Sequence, residues 1–493
     1  MTDYRLRVSR RDIMRWMAAL GVLPALPATL RGAAGTRSFD DDVFSLGVAS
    51  GYPAPDRCVL WTRLAREPLR NGGGMPASAI PVQWEIATDE GFRRVVQTGT
   101  ELASPAWAHT VHVEPTGLEP DRPYWYRFTA GGARSPTGRA ATAPARGKPA
   151  ARLRLAVASC QQYEHGYYVA YEHIANEDLD LVLHLGDYIY EHSWGTKRIR
   201  YHETPECKSL DDYRNRYALY RSDRNLQAAH AACPWLVVWD DHEVDNDYAN
   251  DVSQDRTDPA LFLARRAAAY KAYYEHMPLP AVCRPSGPYL RLYEQRSFGD
   301  LASIFMLDQR QYRSPQACPK KGRSGGNRVT DCPERVEPGR TMLGERQEHW
   351  LEAGLSSSET CWNLLGQGTV MTYIDELPGP GERFWTDNWN GYPAARQQLL
   401  ETLSSTQAAN PVVLSGDIHA FLAANLNQIP QQPDSPVVAS EFATTSISSQ
   451  ATPQKSLDRR GRDNPNLLLL DGRYRGYLRL DLDRQRLRAD MVA

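Results

Sequence analysis

Five short apolar segments, each of a length that suits a buried strand, place the strongest constraint on the fold of this chain. They span residues 153–158, 181–185, 235–239, 303–307 and 411–415. Segments with helical periodicity, at 167–176 and 226–232, lie between them. Strands that alternate with helices in this way are typical of a layered domain in which helices cover a largely parallel sheet. We therefore expect an α/β fold over residues 151–493.

Side chains that can bind metal ions follow four of these strands at their carboxyl ends. The groups are Ser-Cys-Gln at 159–161, Gly-Asp-Tyr-Ile-Tyr at 186–190, Asp-Asp-His-Glu at 240–243 with more acids at 245–247, and Gly-Asp-Ile-His at 416–419. Because ligands of open α/β sheets bind beyond the carboxyl ends of the strands, we expect these groups to form one site. Their carboxylate, imidazole, thiolate and phenolate donors suit two or more cations of mixed hardness. One aspartate could bridge two ions about 3.5–4 Å apart, the separation used in phosphoryl transfer.

Residues 40–148 carry a different pattern, in which apolar and polar residues alternate over short stretches separated by turns. Examples lie at 82–86 and 110–113, and the stretch Leu118-x-Pro-x-x-x-Tyr124-x-Tyr126 resembles a strand pair of fibronectin type III modules. The segment 142–150, rich in Thr, Ala, Pro, Gly and Lys, is typical of a linker. We therefore expect a small fibronectin III-like β-sandwich at 40–148, ahead of the α/β domain.

The first 35 residues have the pattern of an export signal. The pair Arg10-Arg11 precedes an apolar run at 16–30, which Pro24 and Pro27 interrupt, and small residues follow. This run is shorter than the roughly 20 apolar residues of a membrane-spanning helix. Paired arginines of this kind are typical of signals read by the twin-arginine export machinery. We expect export by that pathway to the periplasm or the extracellular space, with no stable membrane span.

The composition excludes one class of function and raises the question of disulfides. The 493 residues include 57 Lys and Arg against 59 Asp and Glu, so binding to nucleic acid through net charge is not expected. Eight cysteines in an exported chain are disulfide candidates. Cys318 and Cys332, which bracket a short basic loop, are the first-choice pair. The sequence leaves the pairing of the others open.

The order of the four polar groups resembles the motifs of calcineurin-like metallophosphoesterases. Those enzymes have Asp-x-His, Gly-Asp-x-x, Asn-His-Glu/Asp and Gly-His-x-His where this chain has Ser-Cys-Gln, Gly-Asp-Tyr-Ile-Tyr, Asp-His-Glu and Gly-Asp-Ile-His. The substitutions are similar to those of the alkaline phosphatase D (PhoD-like) family, which also contains calcium-dependent phospholipases D. Further similar stretches lie at 307–313, 341–344, 389–393 and 441–449. The resemblance covers nearly the whole chain and implies the layered sheet-and-helix domain of a metallophosphoesterase.

The resemblance also implies a site that holds iron(III) beside calcium. The iron ligands would be Cys160, Asp187, Tyr190 and His419. Asp187 would bridge to calcium, which Asp241 and Asp417 would also bind. Zinc or manganese are the alternative metals. His242 would stand beside the metals, where it would stabilise the transferring phosphoryl group or protonate the leaving oxygen.

Four further residues are candidates for the site. The family often has Trp-Asp-Gly-Tyr where this chain has Trp-Asn-Gly-Tyr at 389–392, so Asn390 would offer calcium a carbonyl oxygen with one charge less. Asp387 is the alternative ligand. Arg310 and Arg313 carry guanidinium groups that suit phosphate oxygens, and either could bind the substrate phosphate. A pairing of these arginines with carboxylates is the alternative interpretation.

We interpret the chain as an exported metal-dependent alkaline phosphatase and phosphodiesterase. It would hydrolyse phosphoric esters by attack of a metal-activated hydroxide at phosphorus. One alternative is phospholipase D-type hydrolysis of phospholipid headgroup esters at the same site. An alternative of another class is a non-catalytic binding protein with structural metals. Structural metal sites are closed by protein ligands, whereas His242 would stand free for chemistry.

Overall fold

The computed structural model describes residue 39 and the ranges 42–406 and 408–493. The predicted export signal at 1–35 lies outside these residues. Among the described helices, none combines the length and the apolar character that a membrane crossing requires.

The predicted alternation in the N-terminal part forms eight strands. These are β1 (Val48–Ala54), β2 (Arg57–Arg63), β3 (Ile80–Ala87), β4 (Val95–Ala103), β5 (Thr110–Val113), β6 (Pro123–Ala130), β7 (Ala133–Arg134) and β8 (Gly138–Ala141). Buried and half-buried residues alternate along β6, as a strand with one face on a core requires. One sheet has the order β4-β3-β6-β7, and β8 also pairs with β6. Its buried residues share an apolar cluster with Leu60 of β2 and Val111 of β5, so two layers of strands pack over one core.

The remaining fourteen strands lie between residues 153 and 492. These are β9 (Leu153–Ala158), β10 (Leu181–Leu185), β11 (Trp235–Val238), β12 (Glu294–Phe298), β13 (Ala302–Met306), β14 (Arg328–Val329), β15 (Trp362–Gly366), β16 (Phe384–Trp385), β17 (Pro411–Ser415), β18 (Phe421–Asn427), β19 (Val437–Ala443), β20 (Leu467–Asp471), β21 (Tyr477–Leu482) and β22 (Leu487–Val492). The five predicted segments all form strands, namely β9, β10, β11, β13 and β17.

Seven α-helices accompany these strands in the described residues. These are α1 (Val169–Asn176), α2 (Leu210–Arg221), α3 (Arg224–Ala232), α4 (Pro259–His276), α5 (Glu345–Ser356), α6 (Pro393–Ser405) and α7 (Gln454–Asp463). The start of α2 shows why a helix forms there. The Ser209 hydroxyl accepts a hydrogen bond from the Asp212 backbone N–H, and the Asp212 carboxylate accepts one from the Ser209 backbone N–H. Such a reciprocal cap satisfies two backbone donors that the helix itself leaves unpaired.

Two large sheets form the body of the protein. One has the order β22-β21-β9-β10-β11-β1-β2-β5 and the other the order β12-β13-β15-β17-β19-β18-β20. A single apolar cluster contains Val157 and Leu183 from the first sheet together with Ile304 and Leu414 from the second, so the two sheets pack on a common core. The parallel strands β9, β10 and β11 of one sheet and β13, β15 and β17 of the other carry the loops that build the site. The α/β expectation is confirmed, with two packed sheets in place of one.

The expected small sandwich at 40–148 is not separate from the α/β domain. Strands β1, β2 and β5 extend the first large sheet, in which Gly51 of β1 pairs with Trp235 of β11. A Cβ atom at Gly51 would lie 2.7 Å from the Trp235 carbonyl oxygen, so the close approach of the two strands depends on glycine. An alternating pattern identifies a strand but not its neighbour, which is why the shared sheet was not predicted.

The predicted disulfide between Cys318 and Cys332 is confirmed, with a Cα–Cα distance of 6.1 Å. It closes a loop of which Lys320, Arg323 and Gly326 line the large cavity described below. The other six cysteines are free thiols.

Candidate metal centre

The turns that follow β9, β10, β11 and β17 bring the predicted metal-binding residues together. Possible ligand atoms of Cys160, Asp187 and His419 all lie within 4.8 Å of one another. Those of Asp187, Asp241 and His242 form a second group within the same 4.8 Å limit. Asp187 belongs to both groups, which is the arrangement expected of a carboxylate that bridges two cations.

The backbone at these turns adopts a left-handed conformation that residues other than glycine rarely take. The φ angle is 59° at Cys160, 56° at Asp187, 63° at Asp417 and 53° at His419. Gly186 also has a positive φ, and a Cβ atom there would lie 2.4 Å from backbone of the turn after β11. Such conformations cost about 1–3 kcal/mol each and collect at functional sites, where the surrounding fold enforces them. The fold therefore fixes the direction of these side chains before any ion binds.

Tyr190 and His419 complete the first group. The Tyr190 hydroxyl donates to Asp187 Oδ2 at 2.8 Å and lies 3.3 Å from His419 Nε2. His419 Nδ1 lies 2.7 Å from the Gln450 carbonyl oxygen. Because a carbonyl oxygen can only accept a hydrogen bond, Nδ1 carries the proton. Burial lowers the pKa of His419 to about 4, and its neutral Nε2 lone pair faces the cluster. This is the form in which histidine binds metals.

Cys160, Asp187 and Tyr190 are buried and Asp417 is half-buried, in surroundings where their ionised forms lack compensating charge. Burial, followed by the nearby acids, raises the pKa of Asp417 well above the usual range. Burial raises the pKa values of Asp187, Cys160 and Tyr190 in the same way. Asp187 Oδ1 is also buried without a hydrogen-bond partner. Such a set of donors is stable in its ionised form when cations supply the missing charge, so the residues fit a metal site.

A third acidic group shares Asp241 with the second group and includes Asp247, for which the sequence predicted no role. Possible ligand oxygens of Asp241, Asp247 and Asp387 lie within 4.8 Å of one another. The Asp247 backbone N–H donates to Asp241 Oδ2 at 2.6 Å, and the Gly326 backbone N–H donates to Asp247 Oδ2 at 2.9 Å. Asp247 lies in the acidic stretch after β11, and its position in the sequence does not identify it as a metal ligand in preference to the neighbouring acids. Asp245 pairs instead with Arg265 at 2.9 Å.

Asn390 lies near the cluster, but its side chain is used elsewhere. Its Oδ1 accepts from Arg396 Nη1 at 2.7 Å and from the Ile374 backbone N–H at 3.3 Å. Its Nδ2 donates to the Thr372 carbonyl at 3.2 Å. These bonds give the predicted calcium ligand no support, and the acidic group contains the alternative, Asp387, in its place.

Arg310 and Arg313 are buried and face carboxylates. Arg310 Nε donates to Asp240 Oδ1 at 2.5 Å, and its Nη1 and Nη2 donate to the two oxygens of Asp387, each at 2.9 Å. Arg313 lies 3.4 Å from Asp387 and donates to the Tyr392 hydroxyl at 3.1 Å. The geometry gives the phosphate-binding prediction for these two arginines no support. It favours the alternative, in which they orient and neutralise the acids around the site.

We expect Arg310→Met to destabilise the protein by about 3–5 kcal/mol, because the change leaves Asp240 and Asp387 buried without their partner. The effect is measurable as a fall of several degrees in the calorimetric melting temperature.

Burial opposes ionisation of Asp387, yet Arg310 and Arg313 hold its pKa at about 2. This stabilising contribution is therefore complete above about pH 4 and is lost as the pH falls towards 2. Arg473→Met, which breaks an exposed pair with Asp471, is the control and is expected to leave the melting temperature unchanged. Equal melting temperatures for Arg310→Met and the wild type would contradict the expectation.

His242 has a carboxylate partner that the sequence did not reveal. Its Nδ1 lies 2.7 Å from Glu191 Oε2, and Glu191 Oε1 lies 3.0 Å from His192 Nδ1. Burial alone would lower the pKa of His242, but Glu191, Asp241 and Asp187 outweigh it and hold the pKa well above the usual range. With Nδ1 bound to Glu191, the Nε2–H is free to donate. Glu191 directly follows the predicted ligand Tyr190, and this is the one feature of the sequence that could have identified Glu191 as a residue of the site.

Two cavities meet at the cluster. One, of about 510 Å³, is lined by Asp187, Asp241, His242 and Asn246 among others. The second, of about 400 Å³, extends away from the first. Four residues line both, namely Trp194, Trp385, Asp417 and His419. A volume of this order accommodates a small organic ligand. The acidic cluster is therefore open to substrate, as a catalytic centre requires.

Comparisons with known proteins agree with this site. The family model for PhoD-like phosphatase matches residues 155–491, and the model for the PhoD-like phosphatase N-terminal domain matches residues 29–144. Alkaline phosphatase D of Bacillus subtilis (strain 168) is 47% identical over 461 residues, which make up 92% of this chain and 78% of that protein.

Solved structures give the same result. The structure of PhoD superposes with a TM-score of 0.88 at 46% identity, over 92% of this chain and 87% of that one. A purple acid phosphatase from yellow lupin seeds matches with a TM-score of 0.57 at 11% identity, over 89% of this chain and 70% of that one, a likeness of fold alone. The family models, the identity and the superposition lead to one conclusion: the chain belongs to the PhoD-like phosphatase family.

Proposed function

We propose that this phosphoric ester hydrolase works through a mixed metal centre with an iron(III) side and a calcium side. The observation that carries the proposal is Asp187, which lies within 4.8 Å of the ligand atoms of two separate groups. The alternative of a non-catalytic binding protein is set aside because the chain belongs to a phosphatase family.

On the iron side, we propose Cys160, Asp187, Tyr190 and His419 as ligands. A thiolate and a phenolate are anionic donors that suit a trivalent iron, and a neutral imidazole completes the set. The unpartnered Oδ1 of Asp187 supports a cation at this point, because a buried oxygen without a partner carries a free-energy cost. Zinc or manganese remains the alternative occupant.

On the calcium side, we propose an all-oxygen set made of Asp187, Asp241 and Asp417, with Asp247 and Asp387 as further ligands. Calcium takes oxygen ligands and tolerates irregular geometry, which agrees with carboxylates drawn from several loops. Asp387 is proposed in place of Asn390 because it is a carboxylate of the third acidic group, and Arg310 donates to the same two oxygens of Asp387.

The chemistry divides between the ions and the side chains. Bound cations lower the pKa of water and neutralise charge that develops at phosphorus. His242 donates its Nε2–H to a phosphoryl oxygen or to the leaving oxygen, and Glu191 fixes the tautomer by binding Nδ1. Arg310 keeps Asp240 and Asp387 ionised and in place.

Elemental analysis of the purified protein tests the proposal. We expect iron and calcium, and loss of activity on calcium chelation. Zinc or manganese in an active preparation would reject the iron–calcium pair, and an active protein without metal would reject the centre. The phospholipase D-type alternative is tested by comparing the turnover of short-chain phosphatidylcholine with that of a phosphomonoester. Faster turnover of the phosphatidylcholine would favour that alternative.

We expect Tyr190→Phe to remove a visible absorption band that the wild-type protein shows. A phenolate bound to iron(III) gives a charge-transfer transition, and phenylalanine lacks the oxygen that produces it. Absorption spectra at equal iron content are the measurement. Tyr168→Phe, which alters a buried tyrosine that bonds the Gln161 carbonyl, is a matched control and is expected to keep the band. A band that persists in Tyr190→Phe would contradict the ligand assignment.

We also propose that the chain is exported by the twin-arginine pathway to the periplasm or the extracellular space. The disulfide between Cys318 and Cys332 supports an oxidising compartment. The proposed division is a signal at 1–35, an N-terminal β-strand region at 40–148 that resembles a fibronectin III sandwich but shares β1, β2 and β5 with the first large sheet, and a metallophosphatase domain at 151–493.

A further inference from the structure

The second cavity, which we call the arginine cavity, is lined both by residues of the metal centre and by two arginines. Its volume is about 400 Å³, and Asp417, His419, Arg328, Glu376 and Arg460 are among its lining residues. A substrate that fills both the centre and this cavity would reach from phosphorus to the arginines.

The two arginines of this cavity share one carboxylate partner. Glu376 is buried and lies 2.6 Å from Arg328 Nε and 2.8 Å from Arg460 Nη2. Within the described part of the chain, Glu376 is the one carboxylate in ion-pair contact with either arginine. Arg383 also donates to the Glu376 backbone carbonyl oxygen at 2.9 Å. Two guanidinium groups, those of Arg328 and Arg460, therefore share the single carboxylate of Glu376, while the other acid of the lining, Asp417, belongs to the metal centre.

The arginines come from separate parts of the chain. Arg328 lies in β14, Glu376 in the loop after β15, and Arg460 in α7. The Arg460 side chain is only 16% exposed, so it is held at the cavity wall. Burial is the main cause that lowers the pKa of Arg460; Glu376 opposes the shift and neighbouring arginines add to it, which agrees with a partly desolvated position. A guanidinium fork in such a position suits a carboxylate, sulfonate or phosphate.

Apolar and aromatic side chains also line the cavity. Trp194 and Trp385 line it together with the first cavity, and Val370, Ile374 and Ile418 line it as well. The Arg328 guanidinium lies 5.0 Å from the centre of the Trp385 ring. A carbon chain or a ring that ends in an anion would match a lining that combines metal-centre residues, apolar side chains and arginines.

We propose that the arginine cavity is a subsite for a substituent of the phosphoric ester and that Arg460, held by Glu376, binds an anionic group on that substituent. The proposal rests on hydrolysis at the metal centre. The substrate class it names is a phosphoric ester whose organic part carries a second negative charge.

The test compares alkyl phosphates that end in a sulfonate with alkyl phosphates of the same length that end in a hydroxyl. The sulfonate supplies a charge that the enzyme does not cleave. We expect the wild-type enzyme to hydrolyse the sulfonate-tipped ester with a kcat/KM about tenfold higher at one chain length, because a charge-assisted hydrogen bond in a partly buried site is worth that ratio. Added salt should reduce the preference.

Arg460→Gln is expected to bring the ratio of the two kcat/KM values to about one. Arg459→Gln removes the same charge from the exposed neighbouring residue of α7 and is expected to keep the wild-type ratio. If Arg460→Gln fails to fold, Arg328→Gln serves in its place and should also lower the ratio. A wild-type enzyme that hydrolyses both esters equally, or an equal loss of preference in the Arg459 and Arg460 variants, overturns the subsite alone. Failure of the wild type to hydrolyse either ester would overturn the proposed metal-centre function as well.

Discussion

Asp187→Asn is expected to lower kcat/KM for a phosphomonoester by about a thousandfold or more. Asp187 belongs to both ligand groups, so its replacement removes a charge from each side of the centre at once. A metal clamp stabilises the transition state by several kcal/mol, and each 1.4 kcal/mol is about a factor of ten in rate. The measurements are steady-state kinetics together with metal content, which should fall in the same variant.

Asp178→Asn, an exposed aspartate just before β10, is the control for Asp187→Asn and should behave as the wild type does. The prediction would be wrong if Asp187→Asn kept its full metal content and its activity. Loss of metal without loss of activity would also contradict it, because the centre would then have no part in turnover.

His242→Asn is expected to lower kcat by about 10²–10⁴-fold while the metal content stays at the wild-type value. His242 bonds Glu191 through Nδ1 and lines the large cavity, so it acts on the substrate and not as part of the proposed ligand set. Kinetics and elemental analysis on the same preparation separate the two roles. A parallel loss of metal and activity would identify His242 as a ligand.

Glu191→Gln is a sharper companion to His242→Asn because it leaves the imidazole in place. Glu191 is the largest of the influences that raise the pKa of His242. A group with a raised pKa stays protonated up to higher pH, so the protonated donor is lost as the pH rises through that pKa. The amide variant lacks the charge, and we therefore expect the alkaline limb of its pH–kcat profile to move to lower pH. An unchanged limb would show that His242 is not the titrating donor.

The strands, and the proximity of the residues that follow their carboxyl ends, could be predicted from the sequence. A buried strand needs a continuous apolar run, and β10 or β17 has little else. The residue after such a run must leave the sheet at its edge, so Asp187 and Asp417 were predicted near one another from the chain alone. The disulfide could be predicted because its loop is short and basic.

The partners of the buried arginines could not be predicted in the same way. Arg310 and Asp387 are 77 positions apart, and the sequence holds many acids that could have paired with either arginine. Whether a guanidinium binds substrate or a carboxylate depends on which loops fold over it, and local pattern carries no such information. The same limit applies to Asn390, because the local motif could not show that its side-chain oxygen accepts hydrogen bonds from Arg396 and from the Ile374 backbone N–H.

The shared sheet bears on how this protein could be shortened. A truncation that begins at residue 150 would remove β1 and leave β11 with unpaired backbone groups along one side, next to the apolar side chains Trp235 and Val237. Exposed strand edges of this kind pair with other chains, so the shortened protein should aggregate. The N-terminal strands thus prevent β11 from becoming an exposed edge strand of the sheet. A soluble minimal enzyme would have to retain at least β1 and β2.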